Sequence, residues 1–307
     1  MVENSKQFYI NIEDKPYWNP TKPYDQQSRD AKQFMVEEAK KLKKGLNING
    51  VKIHPWLYWH VNFWNMMVDK KVEGNPLPIS VPEVAHLRDN EWLLQQSLIR
   101  SEELNKGIIG FGARRLGKSG FISSFTAFNA TTIYGGELRV DSIVGGSQED
   151  LDNITSYIDF GLDKIHPFFK MDKVGKDWSK GVTLGTRNVD NTKEIYSTIT
   201  VTNINKGAIS SSQKTAGATP KSSIWDEIGK FSFMKAFNAF KYSIATQYGW
   251  RTTPLLFGCL TENNKVWTAN GDLISIKDLK ASDGIIGFDR NDGEFSVEPI
   301  THQQNNY

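Results

Sequence analysis

Gly107-Ile108-Ile109-Gly110-Phe111-Gly112-Ala113-Arg114-Arg115-Leu116-Gly117-Lys118-Ser119 is the stretch on which the fold turns. Its first five residues read as a short buried strand, and Gly120 to Ile133 reads as a helix. Between them, Gly112 to Ser119 fits G-x-x-x-x-G-K-S at every fixed position. Strand, glycine loop and helix in that order make a phosphate cradle. Glycines let backbone N–H groups converge on phosphate oxygens, and the helix N-terminus adds positive potential. In such a cradle Gly112, Ala113, Arg114, Arg115, Leu116, Gly117, Lys118 and Ser119 surround the phosphates of ATP. Lys118 reaches the β- and γ-phosphates and Ser119 ligates Mg2+. A chance match in a glycine-containing loop is the bland alternative, and the flanking strand and helix argue against it.

A loop that binds phosphate still needs a group to hold magnesium and one to polarise water. Ile224-Trp225-Asp226-Glu227 offers both, as a short apolar strand ending in paired acids. Asp226 holds the magnesium shell in this reading, and Glu227 activates the attacking water. Ser222 and Ser223 occupy positions that are usually apolar in such a strand. Arg114 and Arg115 lie inside the loop, where most nucleotide-binding proteins carry small residues. One of them serves as a charge-stabilising finger on the γ-phosphate, or both make a salt bridge or a subunit contact.

Outward from the loop, strand-like runs at Arg139 to Val144, Ile195 to Thr202, Ser223 to Trp225 and Pro254 to Phe257 alternate with helical stretches. That alternation predicts an α/β fold with a largely parallel sheet covered on both faces. Upstream, residues 1 to 28 are polar and Pro-rich and read as an extended arm. Ala31, Phe34, Met35, Ala39 and Leu42 recur at helical spacing over Asp30 to Leu46, with Gly45 near the stop. A second helix spans Asn90 to Asn105, closed by Gly107. The aromatic segment Pro55-Trp56-Leu57-Tyr58-Trp59-His60-Val61-Asn62-Phe63-Trp64 reads as a stacking platform for single strands or as core, and aromatics this dense are more often core.

Composition narrows the class. The 307 residues are 38% hydrophobic and 23% charged, as in ordinary globular proteins. No stretch approaches a membrane-spanning length of apolar residues. The first residues lack the basic-then-apolar pattern of a signal peptide. One cysteine, Cys259, excludes an internal disulfide framework and fits a reducing cytoplasm. A net charge of +2 does not by itself announce a nucleic-acid binder. The basic run Lys40-Lys41-Leu42-Lys43-Lys44 reads as the solvated C-terminal end of a helix.

Arginines within a lysine loop, an aromatic helical region ahead of it and an Asp-Glu strand after it resemble the large terminase subunit of tailed bacteriophages, the ATPase motor that packages genomic DNA into capsids. Val81-Pro82-Glu83-Val84-Ala85-His86-Leu87-Arg88-Asp89, then Trp92, looks like the segment that precedes the loop in that family. There a nearby glutamine commonly reads adenine. Here Asn90-Glu91 follow, and the glutamines come later, at Gln95 and Gln96. The resemblance implies a P-loop NTPase with an N-terminal helical and aromatic layer over residues 1–80 and an ATPase domain over 81–258. It also implies double-stranded DNA, a small terminase subunit and a capsid portal as partners, a homo-oligomeric ring, and the cytoplasm of a bacterial host. Another helicase-like P-loop ATPase, or a module that binds ATP without turning it over, is the competing reading.

Thr253-Pro254-Leu255-Leu256-Phe257-Gly258 looks like the first half of a terminase element that couples hydrolysis to movement. Cys259 stands where its threonine belongs. After Cys259 the texture becomes short alternating runs broken by Asn270-Gly271 and Asn291-Asp292-Gly293, which is hairpin grammar. Cys259-Leu260, Val266-Trp267-Thr268, Asn270-Gly271, Ile276-Lys277-Asp278-Leu279, Ser282-Asp283-Gly284-Ile285 and Phe288-Asp289 resemble the N-terminal splicing region of an intein. That implies a partial β-rich, Hint-type segment over 259–307. Alone, a single cysteine reads as a buried hydrophobe; within this resemblance the Cys259 thiol attacks the carbonyl of Gly258 and replaces the peptide bond by a thioester. Thr301-His302 lacks the T-x-x-H spacing of inteins, and the terminal His-Asn pair and the terminase nuclease are missing. The chain therefore looks like the front of a split precursor, and a truncated gene looks the same. Mixed with a chain carrying the rest of the intein and a nuclease half, it is expected to yield a ligated product on a denaturing gel, and Cys259→Ala is expected to stop it. Absence of ligation would remove the intein reading.

Overall fold

Ser28 opens the first helix: its hydroxyl accepts from the Ala31 amide at 3.1 Å. Helix α1 runs Arg29–Lys44 and ends on Gly45, whose φ of 74° lets its N–H turn back to the Lys41 carbonyl. Ala31, Met35 and Leu42 are buried as their spacing predicts, and Glu38 is buried with them. The Tyr58 hydroxyl and the Lys41 ammonium hold that carboxylate, each at 2.5 Å. The computed structural model describes residues 15–17, 19, 22, 24–71, 79–112, 117–132, 139–177, 181–187, 193–204, 220–228, 237, 244–246, 249–250, 254–259, 265–268, 270, 272–275, 278, 280, 284–288 and 295–299. The expected extended arm lies largely outside them.

Strands β1 (Leu46–Ile48) and β2 (Val51–Ile53) form a hairpin on Asn49-Gly50. Both turn residues have positive φ, which suits this dipeptide. Helix α2 (Pro55–Phe63) starts on His54, whose Nδ1 accepts from the Trp56 amide at 3.1 Å, with Pro55 in the first turn. Its residues from Trp56 to Phe63 are all buried, so the aromatic segment is core and no stacking platform. Strands β3 (Asn65–Lys70) and β4 (Ile79–Val84) pair antiparallel.

Helix α3 (Asp89–Leu104) ends one residue past its last turn on Asn105, in the left-handed region at φ 51°. Gly107, expected as the cap, serves another purpose. A Cβ there would come within 3.0 Å of the Pro254 side chain, so glycine lets two chain segments approach.

Strand β5 (Ile108–Gly112) leads towards helix α4 (Lys118–Thr131), then β6 (Arg139–Gly145) and α5 (Gln148–Lys164) follow. After them come β7 (Asp172–Asp177), β8 (Gly181–Arg187), β9 (Lys193–Asn203), β10 (Ser222–Trp225), the short pair β11 (Ala245–Thr246) and β12 (Gly249–Trp250), and β13 (Pro254–Cys259). The central sheet has the order β5-β13-β10-β6-β9-β8-β7. The ladders β13–β10, β10–β6 and β6–β9 are parallel, and β8 and β7 add an antiparallel edge. This is the expected mixed α/β fold with a largely parallel sheet. Helix α5 and strands β7 and β8 were not expected from the sequence.

Side chains alternate across the sheet. Ile143, Ile199, Ile224, Leu255 and Phe257 join the large core with α2 and α4. Val144, Trp225 and Leu256 point the other way and cluster with Ile204 and Ile244. Helix α4 is buried nearly all round, as a helix between a sheet and a second layer must be. Its Phe121 meets Trp56 edge-on at 4.8 Å, its Phe128 meets Trp59, and Ser124 accepts from the Trp56 indole at 3.0 Å. The aromatic helix thus grips the helix that carries Lys118.

The chain divides into two compact units, and the larger one ends at Gly258. The smaller takes in Cys259–Tyr307 and Phe111–Arg114. It contains two antiparallel pairs, β14 (Lys265–Trp267) with β15 (Leu273–Ser275) and β16 (Gly284–Phe288) with β17 (Phe295–Pro299). No described helix is long and apolar enough to cross a membrane.

Gly161 tests the packing of α5. A Cβ there would sit 2.0 Å from the Trp64 ring, whose indole is buried and stacked on Trp59. Gly161→Ala is expected to lower unfolding free energy in urea by about 1–3 kcal/mol, although alanine is the better helix former. An unchanged or higher midpoint would contradict the packing.

Candidate nucleotide site

The site is built where α4 begins and β10 ends. Gly117 caps α4 with φ 78° and ψ 12°, a conformation that side chains resist, so glycine is required before Lys118. Ala113, Arg114, Arg115 and Leu116 lie outside the described residues, and no geometry is assigned to the two loop arginines. Gly112 closes β5. Ser119 sits in the first turn of α4, and its carbonyl accepts from the Ser123 hydroxyl at 2.6 Å. That hydroxyl also reaches the Ile154 carbonyl at 3.2 Å, tying the first turn of α4 to α5.

Strand β10 delivers the acids. Its register is fixed on both sides, Ile224 lying opposite Ile143 of β6 and Leu255 of β13. The two serines that break its apolar pattern are buried and satisfied. Ser222 donates to Asp141 at 2.6 Å, and Ser223 accepts from the Trp225 indole at 2.9 Å. Each hydroxyl thus meets the hydrogen-bonding demand that burial imposes. At the strand end the Asp226 amide donates to the Val144 carbonyl at 2.8 Å, which pins the first acid to β6. Glu227 then takes φ 53°, the left-handed region. For a glutamate that costs about 1–2 kcal/mol, and strain of this kind concentrates at functional turns.

The turn brings both acids to one ammonium. Lys118 Nζ lies 2.9 Å from Asp226 Oδ1 and also bonds Glu227 Oε1. The sequence separates Lys118 from Glu227 by 109 positions, and the fold closes that gap. Burial pulls Lys118 down, but the Asp226 charge and the bonds from both carboxylates outweigh it and hold the ammonium above the usual lysine range. Asp226 is 2% exposed, and burial pushes its carboxyl up against the pull of Lys118, with the Glu227 charge adding to the rise. One cation between two carboxylates leaves the cluster short of positive charge.

That shortage suits a magnesium ion. Asp226 Oδ1 is buried and faces the Lys118 ammonium at 2.9 Å, so it would become a ligand oxygen if that ammonium turned to phosphate. Among the described residues no group of three or more His, Cys, Asp or Glu side chains could hold a metal. Magnesium does not need one, since it binds through one or two protein oxygens plus phosphates and water. Gln95 is wholly buried, with its carbonyl accepting from the His54 amide at 2.9 Å, whereas Gln96 is exposed.

No protein-family model matches the sequence, and no curated protein does. Solved structures similar to this chain include phage large terminases. A mutant of the Thermus phage P74-26 large terminase ATPase domain aligns with a TM-score of 0.43 and 16% identity, over 56% of this chain and 65% of that one. The same domain without that mutation gives 0.39 and 17%, over 50% and 59%. The HK97 bacteriophage large terminase gives 0.41 and 13%, over 59% and 35%. The chain thus spans less than two thirds of each of these structures.

The sequence missed three parts of this site: the Ser222–Asp141 pair, the left-handed Glu227, and the contact of Lys118 with both acids. Only the two serines gave a signal, as polar residues in an apolar strand.

Proposed function

We propose that this chain is an ATP-hydrolysing P-loop motor of the phage DNA-packaging type. The observation that carries the hydrolase reading is the Lys118 ammonium held between Asp226 and Glu227 at the start of a glycine-capped helix. Lysine, metal-binding acid and base converge there, as phosphoryl transfer demands.

The geometry suggests an exchange. Without nucleotide, Lys118 neutralises the acids. ATP brings oxygens that compete for the ammonium, and Lys118 turns to the β- and γ-phosphates. Ser119 and Asp226 would hold Mg2+, which would supply positive charge to the phosphates. Glu227, released from its ion pair, accepts a proton from the attacking water. Arg114 or Arg115 stabilises charge on the γ-phosphate.

The packaging assignment rests on the sequence resemblance: arginines in the lysine loop, the segment from Val81 to Trp92, and the acid pair. On that basis the substrates are ATP and double-stranded DNA. The working assembly is a ring with a small subunit and a capsid portal in a bacterial cytoplasm. Residues 1–80 form its helical and aromatic layer, 81–258 its ATPase domain, and 259–307 an intein fragment. Attack of the Cys259 thiol on the Gly258 carbonyl then replaces that peptide bond by a thioester and initiates the splicing that joins the motor to its nuclease half.

Glu227→Gln separates hydrolysis from binding. Phosphate release is expected to fall about 10²–10⁴-fold, while a fluorescent ATP analogue still binds. Equal phosphate release in both proteins would leave an ATP-binding module and contradict the motor.

A further inference from the structure

Arg88 is a cation with no ion-pair partner among the described residues. Its backbone is anchored: the Arg88 amide donates to Glu91 Oε2 at 2.6 Å, in the first turn of α3. Glu91 is buried, and its other oxygen lies 3.5 Å from Nε2 of His60, which is 1% exposed within the aromatic core. The main chain at Arg88 is thus tied to the layer that grips α4, while the side chain is exposed.

That side chain reaches the phosphate loop. Its Nη1 lies 3.4 Å from the point where a Cβ on Gly117 would stand. Gly117 directly precedes Lys118 and caps α4, so the guanidinium sits beside the positive end of that helix. Arg88 makes no ion pair with any described residue. Lys118 differs, since two carboxylates already engage it. A cation placed against a helix N-terminus is unfavourable until an anion arrives, and a planar guanidinium suits phosphate oxygens.

We propose that Arg88 contacts the phosphate chain of the bound nucleotide, its main chain anchored by Glu91. This rests on reading Gly112 to Ser119 as a nucleotide loop. Arg88 would also draw the anion in before Lys118 leaves its acids, since an exposed cation acts at longer range than a neutralised one.

The test displaces a fluorescent ADP analogue from the full-length chain with ADP and with inorganic tripolyphosphate, which has no base or sugar. Arg88→Gln is expected to weaken both ligands by about tenfold or more, a loss of about 1.4 kcal/mol. The loss should shrink as salt rises. Arg88→Lys should recover part of it, and the melting temperature of the ligand-free Arg88→Gln protein should not fall. Unaltered affinity for tripolyphosphate overturns the proposal, whether or not ADP weakens. If the wild-type chain binds neither ligand, the nucleotide reading of the loop fails and takes this inference with it.

Discussion

The ion cluster of Lys118 with Asp226 and Glu227 is the constraint on which the arrangement depends. A lysine and two acids far apart in sequence meet within ion-pair distance. Both acids are buried, and burying a charged carboxylate is costly unless a partner offsets its charge. The cluster therefore favours the folded chain in which β10 ends beside α4. In the proposed hydrolase it would also store the charges that ATP and magnesium redistribute. One interaction would then serve as a structural tie without nucleotide and as a set of ligands with it.

The scaffold's task is to hold the two ends of that tie still. On one side, Trp56 and Trp59 pack on the phenylalanines of α4, and Ser123 bonds α4 to α5. On the other, β10 is clamped between β6 and β13, with Asp226 bonded back to β6. Parallel strands buried on both faces leave their carboxyl ends as the natural place for a ligand. The aromatic layer, which a sequence reader could take for a nucleic-acid platform, acts on the site through the position of α4.

Much of this was legible in the sequence because its signals are local. The glycine-lysine motif, the periodicity of Ala31, Met35 and Leu42, and the apolar run before Asp226 all report on near neighbours along the chain. What stayed hidden needs partners far away in sequence. Glu38 reads as a solvent-facing helix residue, yet Tyr58 and Lys41 hold it inside. Ser222 and Ser223 read as faults in a strand until Asp141 and Trp225 supply their bonds. Gly107 reads as a helix stop, but Asn105 takes that role and Pro254 explains the glycine. Helix α5 carries a local signal of its own, a serine cap and an acidic first turn. Asn49-Gly50 is a second such local signal, for the hairpin of β1 and β2.

The left-handed Glu227 belongs to a different class. Nothing in its residue type predicts a strained backbone, and local rules are broken most often where function requires it. The central claim is that Lys118 exchanges its two acids for nucleotide phosphates. Calorimetric titration of ATP with magnesium into the full-length chain and its Lys118→Ala variant tests this most directly. The account predicts that the variant loses at least about 100-fold in affinity, or about 2.7 kcal/mol. Equal affinity in the two proteins would show that Lys118 does no more than hold Asp226 and Glu227 in place.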